Sequence, residues 1–412
     1  MRIFSEAAYL SPDNSIVPCL HVLPESPRSL VPSSTLILMK PTFLPLIFSL
    51  LTLSALADTP PPARVMMAPA PGSPEVLPDG KVTFRCKAPN AQEVKVSGQF
   101  GPEVKMAKGE DGWWSATTGP VVAGIFEYSF KIDGMNLIDP LNPAIKPQRA
   151  PGSSILHIPA TPPAPWDLQD IPHGTVSWHD YQSKVLNKWR RLVVYTPPGY
   201  RADGPALPVL YLSHGFSDND QSWTVHGKAH SILDSLIASG KARPMLVVMP
   251  DAHALPPGTG WKDEYADENT RSFCQELTSD VIPLIEKTYH VNPDPGARAF
   301  AGLSMGGRHA LTVALTLHDK FSQVGAFSSA VPGENLVGSA FADAAGVNSH
   351  LKLLWIACGK DDFLFSANNA FDTLLKEKGL NHEYVVTEGN HSWPVWRNYL
   401  VAFAPKLFPL SK

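Results

Sequence analysis

The stretch "RAFAGLSMGGRHAL", residues 298–311, sets Ser304 between Gly302 and Gly306. Arg298 to Gly302 reads as the end of a buried strand, and Gly306 onward, with Ala310, Leu311 and Ala314, reads as a helix. Gly-x-Ser-x-Gly at a strand-turn-helix junction is the nucleophile-elbow pattern. The central residue is forced into a strained backbone, and small residues at 302 and 306 let strand and helix approach closely enough to lift the hydroxyl clear of the sheet. A serine hydroxyl is a poor nucleophile at neutral pH, so this reading requires a base and an acid elsewhere in the chain.

The surrounding sequence supplies a frame for both. From about Gly174 to the end, apolar strands "RRLVVYTP", "LPVLYLSHG", "RPMLVVMPD", "ARAFAGLS" and "LKLLWIACG" alternate with helical stretches such as "HSILDSLIASG" and "ELTSDVIPLIEKTY". Strands apolar on both faces, alternating with helices, indicate a mostly parallel sheet covered by helices. The size suits one α/β-hydrolase domain, residues 174–412. In that fold the acid and then the histidine follow the serine, each on a loop after a strand. "LKLLWIACG" is followed by "KDDFLF", and "HEYVVTEG" by "NHSWPVW". Asp362 and His391 therefore stand at the carboxyl edge of the sheet, where Ser304 also emerges. His391 is assigned as the base and Asp362 as the carboxylate that holds its tautomer, with Asp361 as the adjacent rival. Stabilising the oxyanion calls for two backbone N–H groups. Met305, directly after the serine, supplies one, and Phe216 in "YLSHGFSDNDQSW" supplies the other, with His214 expected to be structural.

The N-terminal third has another texture. "MKPTFLPLIFSLLTLSALADTPPP" reads as a secretory signal peptide, residues 39–57, with Lys40 before an apolar run and Ala55-Leu56-Ala57 as the cleavage site. Residues 1–38 then read as an upstream extension, and the rival is a membrane anchor over Thr35–Ala57. Residues 58–75 read as a linker. From 76 to 158, short alternating strands with turn signals "PDG", "EDG" and "IDG" indicate a small all-β immunoglobulin-like sandwich. Trp113 and Trp114 must point to opposite sides of their strand, so that one is core. Trp113, together with Trp393, is a candidate substrate-binding aromatic. A Pro-rich second linker occupies 159–173.

Composition narrows the chemistry. The 412 residues are 44% hydrophobic, enough for a large core, and the net charge of −4 comes with no basic stripe, which argues against nucleic acid or a polybasic membrane contact. Of four cysteines, Cys86, Cys274 and Cys358 lie in the mature chain and read as buried free thiols. No Cys/His spacing suggests a metal site, and a serine-based mechanism needs no cofactor.

"LPVLYLSHGFSDNDQSW", "ILDSLIASGKARPMLVVMPDAHA", "AFAGLSMGGRHAL", "CGKDDFLF" and "EGNHSWPVW" resemble the esterase family that includes feruloyl esterases, acetyl xylan esterases, S-formylglutathione hydrolases, enterochelin esterases and mycolyltransferases. The residues around "EDGWWSATTGPVVAGIFEYSFKIDG" are similar to the glycogen-branching-type sandwich modules that precede many carbohydrate-active enzymes. The resemblance implies a secreted or periplasmic serine esterase acting through Ser304, Asp362 and His391 on an ester, feruloyl or acetyl, linked to a xylan-type carbohydrate. A siderophore esterase or general carboxylesterase is the alternative within the class, and a non-catalytic carbohydrate-binding protein the alternative outside it. The sandwich, lacking a nucleophile and base, is expected to be dispensable for small esters. If the signal peptide is read correctly, N-terminal sequencing of exported protein returns Asp58 as the first residue; a mature chain that retains residues 1–38 overturns the start at Met39.

Overall fold

A computed structural model describes residues 71–256 and 261–409. The signal peptide, the upstream extension and most of the first linker lie outside the described residues.

Residues 75–158 form two antiparallel sheets that share one core. Strands Glu75–Val76, Val82–Lys87, Trp113–Thr118 and Ala107–Lys108 make the first. Strands Gly101–Lys105, Val94–Gly98, Gly124–Ile132 and Met135–Leu137, with Ser154–Ile158 paired to Gly124–Ile132, make the second. The period of two in the sequence decides which face is buried. Val82, Phe84 and Cys86 pack against Val94 and Val96 and against Phe126, Tyr128 and Phe130 of the opposite sheet. Trp114 is the core member of the tryptophan pair, its Nε1 donating to the Ala88 carbonyl at 2.8 Å. Trp113 lies half-buried on the other face with Lys87 over its ring.

Residues 175–409 build an eight-stranded sheet from β1 (Thr175–Ser183), β2 (Lys188–Thr196), β3 (Val209–Ser213), β4 (Leu246–Pro250), β5 (Arg298–Leu303), β6 (Gln323–Phe327), β7 (Leu353–Gly359) and β8 (Glu383–Thr387). The order is β1-β2-β4-β3-β5-β6-β7-β8, antiparallel at β1, β2 and β4 and parallel from β4 onward. One face is covered by α1 (Ala229–Ala238), whose Ile232, Leu233 and Leu236 share a core with Leu210 and Leu212 of β3. On the other face, Phe273 of α2 (Asp263–Glu276), Ala310 and Leu311 of α3 (Met305–Thr316) and Phe371 and Leu375 of α4 (Phe365–Glu377) share one core with Tyr211 and Phe300. Helix α5 (Trp393–Phe403) returns to the first face. Because β3, β5, β7 and β8 run the same way, the loops that leave them gather at one edge of the sheet. The cysteines at 86, 274 and 358 are all buried and unpaired.

The segment 159–173 is tied down along its length. Asp167 accepts from His157 Nε2 and from the Ala160 and Ala164 amides at 2.7–2.9 Å. Trp166 packs on the α1/α5 side of the sheet, with the Arg397 guanidinium over its ring. All described residues belong to one compact unit.

The crossing of α3 over β3 requires glycine. A Cβ at Gly306 would lie 2.6 Å from the Ser213 carbonyl oxygen and 2.7 Å from that of His214. Alanine stabilises most helices relative to glycine, but here backbone would have to move. Gly306→Ala is therefore expected to lower stability by about 1–3 kcal/mol, read as a fall in Tm of several degrees; a Tm equal to or above that of the parent refutes the close approach.

Candidate active site

Ser304 sits between β5 and α3 with φ 55° and ψ −112°. A non-glycine residue in that region is strained and persists because its surroundings hold it. Its amide donates to the Phe327 carbonyl at 2.9 Å, and its carbonyl accepts from Ala330 at 3.0 Å and from Arg308 at 3.0 Å. A Cβ at Gly302 would run into the Gly306 backbone, so the turn closes only with glycine on that side. These bonds fix the serine at the carboxyl edge of the sheet, half-buried.

Asp362 and His391 come to the same place from the loops after β7 and β8. His391 Nδ1 donates to the Asp362 carboxylate, 3.0 Å from Oδ1 and 2.8 Å from Oδ2. Burial alone would push the Asp362 carboxyl up, but the hydrogen bonds from His391 and from the Leu364 amide at 2.8 Å more than offset it and hold the group below the usual carboxylate range. Asp361 is exposed, and its amide is spent on the Gly389 carbonyl. With Nδ1 committed to Asp362, Nε2 is the imidazole nitrogen left to face a reactant. The ring is set by Phe363 at 4.4 Å and Trp396 at 4.9 Å between centroids. Ser304 and His391 line one cavity of about 290 Å³.

The loop after β3 lies directly against the serine. A Cβ at Gly215 would be 2.8 Å from Leu303 Cδ1 and 3.5 Å from Ser304 Cβ. His214 is buried, with Nδ1 donating to the Gly215 carbonyl at 2.8 Å and Nε2 accepting from the Ala252 amide at 2.9 Å, a structural role. Phe216 follows this contact and lines the cavity. Met305 is the first residue of α3, where an N–H has no acceptor within the helix and the helix dipole favours negative charge.

Trp393 is 1% exposed and packs on Trp223, His226 and Trp396. It is packed into the core and forms part of the cavity lining from beneath. Trp113 does not line this cavity. The apolar end of α5 needed a large residue there, and the sequence pattern alone does not tell a floor from a platform.

The N-terminal sheets reach the site in a way the sequence did not indicate. Gln99, Glu127 and Lys146 line the cavity alongside Ser304 and His391. Residues 146–149 run as a strap along the loop after β3. The Arg149 amide donates to the Ser217 carbonyl at 2.9 Å, Ser222 Oγ to the Pro147 carbonyl at 2.9 Å and Asn219 Nδ2 to the Gln148 carbonyl at 3.3 Å. The Arg149 guanidinium lies over the Phe216 ring, 5.4 Å from its centroid. Lys146 Nζ is 3.1 Å from Glu127 Oε1 and 3.4 Å from Asp218 Oδ1, with all three carboxylate and ammonium groups largely out of water. The module expected to serve the substrate rather than the chemistry thus forms one wall of the cavity.

Comparison with known proteins matches this geometry to a family. A family model described as "Putative esterase" matches residues 183–407, more than half of the chain. The chain belongs to that esterase family. It is 32% identical over 356 residues to an endo-1,4-beta-xylanase/feruloyl esterase of Xylanibacter ruminicola, an alignment that covers 83% of this chain and 47% of the relative, so the chain spans about half the length of that protein. A solved ferulic acid esterase superposes with a TM-score of 0.51 at 26% identity, over 57% of this chain and 98% of its own. The enterobactin esterase of Shigella flexneri superposes with a TM-score of 0.58 at 19% identity, over 80% of this chain and 93% of its own. That share is more than residues 175–409 alone can supply, so the likeness in fold extends into the N-terminal sheets.

The lowered Asp362 carboxyl has a consequence for stability that needs no substrate. A carboxylate whose pKa is depressed on folding contributes above its unfolded value, and the contribution is lost as pH falls through the folded one. Asp362→Asn is expected to cost roughly 1.5–3 kcal/mol near neutral pH, with the Tm gap to the parent closing as pH is lowered through the carboxylate range. A gap that is constant from pH 7 to pH 3 excludes the charged hydrogen bond.

Proposed function

We propose that this protein is an exported serine esterase that removes aromatic acyl groups, feruloyl above all, from a xylan-type carbohydrate. The observation that carries the reading is a second cavity of about 340 Å³ that shares Ser304 and is otherwise walled by Phe216, Trp261, Ala330, Phe363 and Leu364. Four of those five side chains are large and apolar, three of them aromatic. A cavity of that size and composition suits a planar aromatic acid and would leave an acetyl group largely uncontacted. Relatives named as feruloyl esterases support the same acyl group. The two-sheet N-terminal region is read as a sandwich module of the glycogen-branching type.

In the mechanism, Ser304 Oγ attacks the ester carbonyl while His391 Nε2 takes its proton, and Asp362 stabilises the resulting imidazolium. The tetrahedral oxyanion is met by the Phe216 and Met305 amides, preorganised because the loop after β3 and the start of α3 are both held by backbone bonds. Collapse of the intermediate breaks the bond to the alkoxy oxygen, which leaves with the proton from His391 Nε2. Water then enters, gives its proton to the same nitrogen and releases the acid, restoring Ser304.

Ser304→Ala should reduce turnover on the order of a million-fold with the fold intact. Asp362→Asn should cost about four orders of magnitude, whereas Asp361→Asn, on an exposed side chain, should stay within a few-fold. For the acyl group, methyl ferulate and methyl acetate share a leaving group, so their ratio of kcat/KM isolates the acyl side. The ratio is expected to favour ferulate; preference for methyl acetate, together with faster release from acetylated xylan, would transfer the reading to an acetyl esterase.

A further inference from the structure

Two cavities meet at Ser304, and they differ in chemistry. Phe216 and Phe363 line both. One is apolar and takes the acyl group in the reading above, on which the following inference rests. The other contains Gln99, Glu127, Lys146, Asp218 and Ser392. An ester bound at Ser304 must send its acyl and alkoxy halves in different directions. His391, which has to hand its proton to the alkoxy oxygen, lines the polar cavity and not the apolar one. The alcohol half therefore lies in the polar cavity, against the N-terminal sheets.

We propose that Gln99 and Glu127 of the N-terminal sheets form a binding subsite for a hydroxyl-bearing alcohol half of the ester, such as the sugar that carries the acyl group. Both side chains are preorganised. In strand Gly124–Ile132, Phe126, Tyr128 and Phe130 face the core of the two sheets, so Glu127 stands on the opposite face, towards the esterase. In the same strand the Ile125 carbonyl accepts from Arg397 of α5 at 2.7 Å, which ties the strand to the esterase. Gln99 is pinned to Glu127 from both ends: Gln99 Oε1 accepts from the Glu127 amide at 3.0 Å, and the Gln99 amide donates to the Glu127 carbonyl at 2.9 Å. The Glu127 carboxylate receives Lys146 and the Gln99 side-chain amide at Oε1 and Ser153 Oγ at Oε2. A carboxylate offers about four acceptor positions, so one remains for a ligand hydroxyl, and the exposed Gln99 amide adds a donor beside it.

The charges disfavour an anionic ligand. One ammonium, Lys146, is buried between two carboxylates, Glu127 and Asp218, so the wall has no cation left to pair with an anionic alcohol. Such an alcohol would lose water against carboxylates, while hydroxyl groups can use the remaining donor and acceptor positions at no such cost. Phe363, 76% exposed beside His391, offers the apolar face on which a sugar ring can lie.

The test uses the full chain, with Gln99→Ala and Glu127→Gln, on two esters that share the acyl group: methyl ferulate and a feruloylated arabinoxylo-oligosaccharide. The quantity read is the ratio of kcat/KM for the sugar ester to that for the methyl ester. Each variant is expected to lower the ratio roughly 3- to 10-fold, the worth of one hydrogen bond, with the change in KM. A ratio unchanged in both variants overturns the subsite. Equal losses on both esters overturn it as well and make this wall a support for the loop after β3. Hydrolysis of neither ester by the parent would remove the esterase reading, and this inference with it. Gln99 is exposed, so Gln99→Ala decides the matter should Glu127→Gln lower Tm by more than a few degrees.

Discussion

The whole site hangs on how closely three backbone segments approach one another. Gly302, Gly306 and Gly215 each occupy a place where a Cβ would collide with a neighbouring chain: the first with the start of α3, the second with the end of β3, the third with Leu303 beside the serine. Nothing larger than hydrogen fits, so β3, β5 and α3 meet with no side chains between them. That contact places the loop after β3 against Ser304 and stores the strain of its positive φ in a surrounding that cannot relax. The pairing of His391 with Asp362 is then a matter of strand order, because β7 and β8 follow β6 across the same sheet and deliver their loops to the same edge.

Much of this is local, and local features are what a sequence displays. The elbow is written within five residues. Asp362 and His391 each follow an apolar strand directly, and the choice of Asp362 over Asp361 agrees with the hydrogen bonds that His391 makes. Strand β1 was not read because its residues are largely exposed and polar, "TVSWHDYQS", at the edge of the sheet. Strand β6, "QVGAF", was too short and glycine-broken to stand out although every residue is buried. The burial of Trp393 was not legible because it follows from Trp223 and His226, which are distant in sequence.

Gln99, Glu127, Lys146 and Arg149 could not have been found in this way. Glu127 appears as one polar position in an alternating strand, where a solvent-facing role is the ordinary expectation. Its partners Gln99, Lys146 and Ser153 come from other strands and loops of the sheets, and the cavity they border is completed by the loop after β3, more than 80 residues away. The Pro-rich stretch 143–151 resembles a spacer by composition, yet the backbone of residues 147–149 is bonded in turn to the segment 217–222 that follows Phe216. Pro147 keeps a usable carbonyl even though it lacks an N–H, and that carbonyl is the group Ser222 uses.

The electrostatics of the junction explain why the two parts are one unit. Burial foremost pushes the Asp218 carboxyl up, and Lys146 only partly offsets it. Burial lowers Arg397 to about 10, which still leaves it charged near neutral pH, with its guanidinium donating to the Ile125 carbonyl on one side and the His226 carbonyl on the other. His226, fully buried and held well below its ordinary value by burial, stays neutral beside Glu127 and adds no charge of its own. With the sheets in place, loss of the Lys146 ammonium would leave Asp218 buried without its cation, and loss of the Ile125 contact would leave Arg397 with one carbonyl partner. An unpaired buried charge costs several kcal/mol, comparable to a large share of the stability of a domain. The esterase part and the sheets thus share buried polar contacts, and the same contacts close the polar side of the cavity around Ser304.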